Sequence, residues 1–324
     1  MTAVITGVAG FIGSSLADEL LATGEAVIGI DSFTDYYDPA GKRRNLEHSM
    51  RHPSFRLVEG DLCDLDLVEL LTGVDVVYHQ AGQPGVRLSW SAGFPEYARL
   101  NVVATQRLLE AAKTAGVPRV VYASSSSVYG NAARYPTTED DLPAPHSPYG
   151  VTKLAAEHLC NLYAANWGLS TVSLRYFTVY GPRQRPDMAI HRMVESGLRG
   201  APFPLFGDGS AVRDFTFVSD AVAANVAAAR ADVAPGTVVN VAGGGEIQVS
   251  ELLDVVGAAC GSPVPVDERP PMAGDVRRTG GTIDRAVELI GWEPRRSIVD
   301  GVAEQVAWHR THQPSAATDM PLAS

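Results

Sequence analysis

Tyr149-Gly150-Val151-Thr152-Lys153 sets a phenol and an ammonium one helical turn apart, on one face. That pairing suits general-base chemistry. A phenol with a pKa of ~10 is a poor base at neutral pH, and lowering it by about three units requires roughly 4 kcal/mol. A single cation at about 4 Å, in an effective dielectric of about 20, supplies that much. The same spacing arises when a half-buried Tyr lies beside a snorkelling Lys. Two neighbours favour chemistry. Ser147-Pro148 leads directly into the helix, and Ser124-Ser125-Ser126-Ser127 leaves an apolar strand. Hydroxyls at the carboxyl end of a strand lie where α/β sheets bind ligands, although a serine run can also be a plain polar loop. Ser and Tyr together can carry a proton from a hydroxyl while hydride leaves its carbon.

A hydride needs an acceptor. Gly7-Val8-Ala9-Gly10-Phe11-Ile12-Gly13 follows a strand and opens a helix. A phosphate there meets unpaired backbone N–H groups and the positive end of the helix dipole. Glycine is needed where the backbone turns sharply and approaches a pyrophosphate. The spacing is GxxGxxG, and many glycine turns bind nothing, but strand, glycines and helix come in the required order. Asp31 ends the second strand, close to the expected ~20 residues further on. A carboxylate there accepts from ribose hydroxyls and repels a 2′-phosphate, which favours NAD over NADP; the other reading is a solvated loop carboxylate. Asp61-Leu62 ends the third strand, either at an adenine edge or as a simple turn.

These groups need a frame. Apolar runs at Ala3–Thr6, Ala26–Asp31, Phe55–Glu59, Asp75–His79, Arg119–Ser124 and Thr171–Tyr176 alternate with helical patterns at Ser14–Ala22, Arg99–Ala115 and Tyr149–Trp167. The alternation predicts an α/β fold with a doubly wound parallel sheet, covered on both faces. After Tyr180 prolines multiply, which predicts a smaller lobe. The chain is expected back in the sheet around Asp214–Val218 and Thr237–Val241. The expected division is therefore 1–178, completed by about 213–242, for the dinucleotide domain. Residues 179–212 and 243–310 form the smaller lobe, and 311–324 a frayed tail.

The formal net charge of −11 argues against a nucleic-acid face, so an anionic substrate must meet locally clustered Arg. Three well-separated cysteines suggest neither disulfides nor a zinc site, and no metal is expected; the usage fits a reducing cytoplasm. No apolar run approaches the ~18 residues of a membrane span, and no leader peptide is legible.

At Thr6–Gly13, Tyr122–Gly130, Ser147–Lys153, Arg175–Pro182 (RYFTVYGP), Arg213–Val218 (RDFTFV) and Gly274–Val276 the sequence resembles the extended short-chain dehydrogenases. Within them it resembles the NAD-dependent nucleotide-sugar epimerase/dehydratase family, from about Val4 to Trp308. The resemblance implies a Rossmann-type NAD domain with a smaller α/β substrate lobe. It implies that Ser125, Tyr149 and Lys153 are catalytic, with Lys153 also on the nicotinamide ribose. Gln80, Ala81, Gly82 and Tyr176 would line the cofactor. Arg213, Phe206 and Asp275 would grip the diphosphate and nucleoside. Helices 99–115 and 149–167 would form a four-helix homodimer interface.

Three branches of the family differ after the catalytic hydroxyl. Dehydratases carry an acidic pair where Ser126 and Ser127 stand, and decarboxylases keep a Glu where Ser127 stands, which leaves a 4-epimerase. The segment Gln83–Arg87, the run Asp35-Tyr36-Tyr37-Asp38 and the segment Arg185–Ala189 resemble the UDP-glucuronate 4-epimerase branch, and Thr178 replaces the Asn usual in glucose/galactose epimerases. Arg87, Thr178 and Arg185 are then expected at the UDP-sugar, with Ser126 and Ser127 at its carboxylate. The alternatives are a UDP-glucose/galactose 4-epimerase, another nucleotide-sugar enzyme, a one-way dehydrogenase, or a non-catalytic NAD-sensing regulator.

Overall fold

The computed structural model describes residues 1–272 and 275–312. Seven strands form the main sheet: β1 (Thr2–Thr6), β2 (Ala26–Asp31), β3 (Phe55–Glu59), β4 (Val76–His79), β5 (Arg119–Ser125), β6 (Thr171–Tyr176) and, after a long excursion, Thr237–Val241. Every pairing in it is parallel, in the order 3-2-1-4-5-6 with Thr237–Val241 beyond β6. Such a sheet must be covered on both faces, and β4 and β6 are buried at every residue. Helices Phe11–Ala22 and Val218–Arg230 cover one face; Leu67–Leu71, Ala104–Ala115 and Pro148–Trp167 cover the other. Strand order reverses between β1 and β4, so a crevice opens at the carboxyl ends there.

Two differences from the sequence reading matter. Asp214–Phe217 does not rejoin the main sheet. It belongs to β9 (Val212–Phe217), which pairs with β7 (Thr178–Tyr180) and, antiparallel, with Glu246–Gln248. The buried strand Thr237–Val241 already occupies the edge beside β6, so β9 has no place there. Secondly, the helix expected from Arg99 starts at Phe94 and passes through a π-helical stretch, Ala98–Val103, before Ala104–Ala115.

The smaller lobe pairs β8 (Phe203–Phe206) with Val266–Arg269 and packs helices Ala189–Arg199, Val249–Cys260 and Ile298–Thr311 together. The last helix takes Thr311 from the expected tail; 313–324 lies outside the described residues, as does Gly274. No helix among the described residues is long and apolar enough to cross a membrane.

Candidate active site

Local chemistry fixes the helix that carries Tyr149 and Lys153. The Ser147 hydroxyl accepts from Gly150 N–H at 3.1 Å, Pro148 takes the first turn, and Gly168 closes the other end with φ +67°. Ser125 ends β5, and its Oγ accepts from Ser127 N–H at 3.1 Å, capping the short 3-10 turn Ser126–Val128. The phenol end of Tyr149 is enclosed. Burial pushes its pKa up, while Ser125 beside it and the Arg185 charge pull it down. Lys153 is buried, and desolvation lowers its pKa to about 8. Its Nζ sits 4.7 Å from the centre of the Tyr122 ring. Lys153 and Arg185 line the same cleft as Tyr149, so a second cation joins the one expected from helical spacing. Its origin is tertiary, because the loop before helix Ala189–Arg199 delivers Arg185 from the smaller lobe.

Arg185 is itself paired. Its Nε and Nη2 donate to Asp187 at 3.0 and 3.1 Å, and Tyr36 Oη donates to the same carboxylate at 3.2 Å. Arg185 thereby draws the Asp187 carboxyl below its usual range, against the effect of burial. Ser126 and Ser127 are half-buried on their 3-10 turn, and Thr178 is half-buried at the start of β7.

A cleft at the strand carboxyl ends joins all of the expected cofactor residues. Gly7, Gly10, Phe11, Ile12, Gly13, Asp31, Asp61, Leu62, Gln80, Ala81, Gly82, Tyr149, Lys153 and Tyr176 all line it. The residues present fit a dinucleotide. A Cβ on Gly7 would stand 2.8 Å from Ala81 N, and one on Gly13 would collide with the Gly7 carbonyl oxygen, so only glycine leaves room at the first turn. Asp31 accepts from Ala9 N–H at 2.9 Å and Phe33 N–H at 2.8 Å, one on each oxygen, which leaves each with further acceptor capacity. Burial nevertheless raises its pKa. Asp61 is more committed: Cys63 N–H and Arg99 both donate to it at 2.8 Å.

Several groups escaped the sequence reading. Asn101, on the π-helical stretch, accepts from Gln83 N–H at 2.6 Å and donates to Gln83 O at 3.1 Å and Thr152 Oγ1 at 3.0 Å. It clamps the segment after β4 to the catalytic helix; π-turns often serve functional sites in this way. Asn225, also missed, closes a hydrogen-bonded triangle with the expected cofactor residues Gln80 and Tyr176 at 2.6 to 3.2 Å. Behind the serines, Glu157 takes Arg175 at 2.7 and 3.0 Å and Ser124 Oγ at 2.6 Å. A usable signal existed, since Glu157 follows Lys153 by four residues and Arg175 interrupts an apolar strand.

A second cluster brings Arg87, from the segment after β4, against residues of the smaller lobe. The Arg87 guanidinium covers the Phe206 ring at 4.4 Å and pairs with Asp275 at 3.2 Å. Arg213 donates to Val276 O at 2.6 Å; burial lowers its pKa, which Asp275 opposes. Arg192 joins them. Burial lowers its pKa, and the nearby charge of Arg87 lowers it further. Cations massed this way suit a polyanion.

Comparison with known proteins matches this architecture to one family. The model of the NAD dependent epimerase/dehydratase family matches residues 3–242. The chain is 39% identical to a UDP-glucose 4-epimerase of Mycolicibacterium smegmatis, over 96% of this chain and 99% of that one. The UDP-glucuronic acid 4-epimerase of Bacillus cereus, solved with UDP-glucuronic acid and NAD, superposes with a TM-score of 0.93 at 38% identity, covering 96% and 99% of the two chains. MoeE5, solved with UDP-glucuronic acid and NAD, gives 0.87 at 43% identity, covering 96% and 99%. A glycine cradle at the switch point, a Ser–Tyr–Lys set above it and these likenesses lead to one conclusion: the chain belongs to the NAD dependent epimerase/dehydratase family.

Proposed function

We infer that the protein is an NAD-dependent UDP-sugar 4-epimerase whose sugar is glucuronate, interconverted with galacturonate. The observation that carries this reading is that Tyr149, Lys153 and Arg185 line one glycine-cradled cleft, with Ser125 beside the phenol. Bound NAD supplies a reversible hydride acceptor for C4 of the sugar. The chain's own residues do the rest. Tyr149 Oη takes the 4-hydroxyl proton and later returns it. Ser125 Oγ already accepts from Ser127 N–H, so its own O–H is left to bridge sugar oxygen and phenol. Arg185 favours the phenolate. Lys153 holds the nicotinamide ribose, and Asp31 the adenosine ribose. Arg87, Arg192 and Arg213 meet the diphosphate beside Phe206 and Asp275.

The carboxylate of the sugar needs its own care. Oxidation at C4 makes a β-keto acid, which loses CO₂ readily when its carboxylate is desolvated and free to turn. Neutral donors from Ser126, Ser127 and Thr178 hold the charge and fix its rotation. Arg185 adds a cation, shared with Asp187. That sharing favours a second reading, a UDP-glucose/galactose 4-epimerase, which needs no free cation at C6; the Mycolicibacterium relative points the same way. Untagged protein incubated with UDP-glucuronate or UDP-glucose and no added cofactor, followed by NMR, separates the two. Preference for UDP-glucose replaces the first reading with the second. Ser126→Ala with Ser127→Ala is expected to weaken UDP-glucuronate use and release CO₂, visible by mass spectrometry. Undiminished epimerisation without CO₂ loss would remove the carboxylate role.

The same reading includes a dinucleotide domain of 1–178, completed by 218–242, and a homodimer. Val103, Val151 and Leu162 are 48%, 50% and 54% exposed on neighbouring helices, apolar surface that supports a four-helix interface with a second copy. Free thiols at Cys63, Cys160 and Cys260 support a cytoplasmic location.

A further inference from the structure

Away from the cleft, His191 and Glu195 stand one turn apart on helix Ala189–Arg199, and His309 faces them from helix Ile298–Thr311. Ligand atoms of all three lie within 4.8 Å of one another. His191 Nε2 is 3.7 Å from Glu195 Oε1, and the two imidazole rings meet edge to face at 4.4 Å. His309 is 6% exposed, and its Nε2 has no hydrogen-bond partner among the described residues. A buried nitrogen left unpaired is costly, and few are kept without a use. His191 is oriented as ligand histidines usually are. Its Nδ1 lies 2.8 Å from Gln184 O, which makes Nδ1 the protonated nitrogen and leaves the Nε2 lone pair toward Glu195.

We propose that His191, Glu195 and His309 form a divalent metal site, and that zinc is the ion it fits. Two imidazole nitrogens and one carboxylate oxygen are ligands zinc takes readily, with water in the fourth position. Bonds of about 2.0–2.1 Å bring tetrahedral ligand atoms to about 3.3 Å apart, so separations of up to 4.8 Å must close by up to about 1.5 Å. Glu195, a third exposed, supplies part of that travel; its Oε1 now lies between His191 Nε2 at 3.7 Å and Arg199 Nη2 at 3.5 Å. Cysteine spacing pointed away from zinc, and the set instead comes from a His-x₃-Glu turn and a distant histidine. The ion fastens two helices of the smaller lobe. It also steadies Gln184, whose Oε1 accepts from His191 N–H at 2.9 Å and Gln305 Nε2 at 2.8 Å, immediately before Arg185.

The test uses untagged full-length protein, stripped by a chelator and titrated with zinc against a chromophoric chelator. Cobalt(II) is titrated in parallel and followed by visible absorption. One zinc per chain is expected, with Tm raised by about 5 °C at a hundredfold excess over Kd. The cobalt spectrum should be tetrahedral and lack thiolate charge-transfer bands. Glu195→Gln and His309→Phe should each weaken binding by about tenfold or more. Glu195→Gln lies on the partly exposed side, so it reports even if His309→Phe folds poorly. No binding at micromolar zinc, unchanged affinity in Glu195→Gln, or thiolate bands would overturn the proposal.

Discussion

Replacing Glu157 by Gln asks whether the fold and the chemistry share one buried charge. The Glu157 and Arg175 side chains are 2% and 5% exposed, and the carboxylate takes the guanidinium through both oxygens. An exposed pair of the same geometry would contribute at most ~1 kcal/mol. Burial changes the scale, because loss of one partner leaves an uncompensated charge inside, at a cost of about 3–5 kcal/mol. At about 2 °C per kcal/mol for a chain of this size, Tm should fall by roughly 6–10 °C. Adding Arg175→Met removes the orphan charge and should recover part of that loss. Glu157 also raises the Lys153 pKa against the effect of burial. Without it the ammonium titrates below about 8, so activity should drop earlier on the alkaline side. Urea unfolding and a pH–rate profile measure both effects. A stability loss under about 1 kcal/mol, or a double variant weaker by the full sum of the singles, would refute the reasoning.

Tyr149→Phe should abolish turnover while NAD binding stays within a few-fold of wild type, by fluorescence titration; near-normal turnover would end the proposed proton path. Asp31→Ala should weaken NAD by roughly 10- to 150-fold, the range for charge-assisted hydrogen bonds of about 1.5–3 kcal/mol; unchanged affinity would assign the carboxylate to its two backbone partners alone. His79 is buried between Thr6 and Thr105, and burial holds its pKa near about 3 against 6.5 unfolded. The unfolded chain therefore binds more protons between those values, and stability contributed by the neutral ring is lost as pH falls from 6.5 toward 3. His79→Gln should flatten that part of the stability–pH curve, read by denaturant titration, and an unaltered slope would argue against a neutral His79.

The strands and the glycine turn were legible because their signals are local. Apolar runs such as Val120-Val121-Tyr122 can only be buried, and Gly7, Gly10 and Gly13 sit between a strand and a helix. Tyr149 and Lys153 were legible from helical spacing, but the second cation near the phenol was not. Arg185 reaches it from another lobe, and Asp187, which shares its charge, reads in sequence as a loop acid. Asn101 was hidden for a different reason: its place depends on a π-helical turn, which 3.6-residue periodicity does not reveal. The strand Val212–Phe217 has the right pattern for the main sheet, and only competition for one edge sends it elsewhere.

The late return of Thr237–Val241 also orders events during synthesis. β6 is complete at Tyr176, yet the strand that covers its outer edge ends at Val241, about 65 residues later (241 − 176). At roughly 5–20 residues per second, the ribosome leaves that edge open for about 3–13 s. β6 is buried at every position in the finished protein, so until Val241 emerges its outer backbone groups have no strand partner, the kind of edge that templates pairing between chains. The opposite edge, β3, carries exposed Arg56 and Glu59 and is protected from the start. A growing chain thus carries one sealed border and one adhesive border, and the span from Phe177 to Val241 sets how long neighbouring chains on a polysome can meet through it.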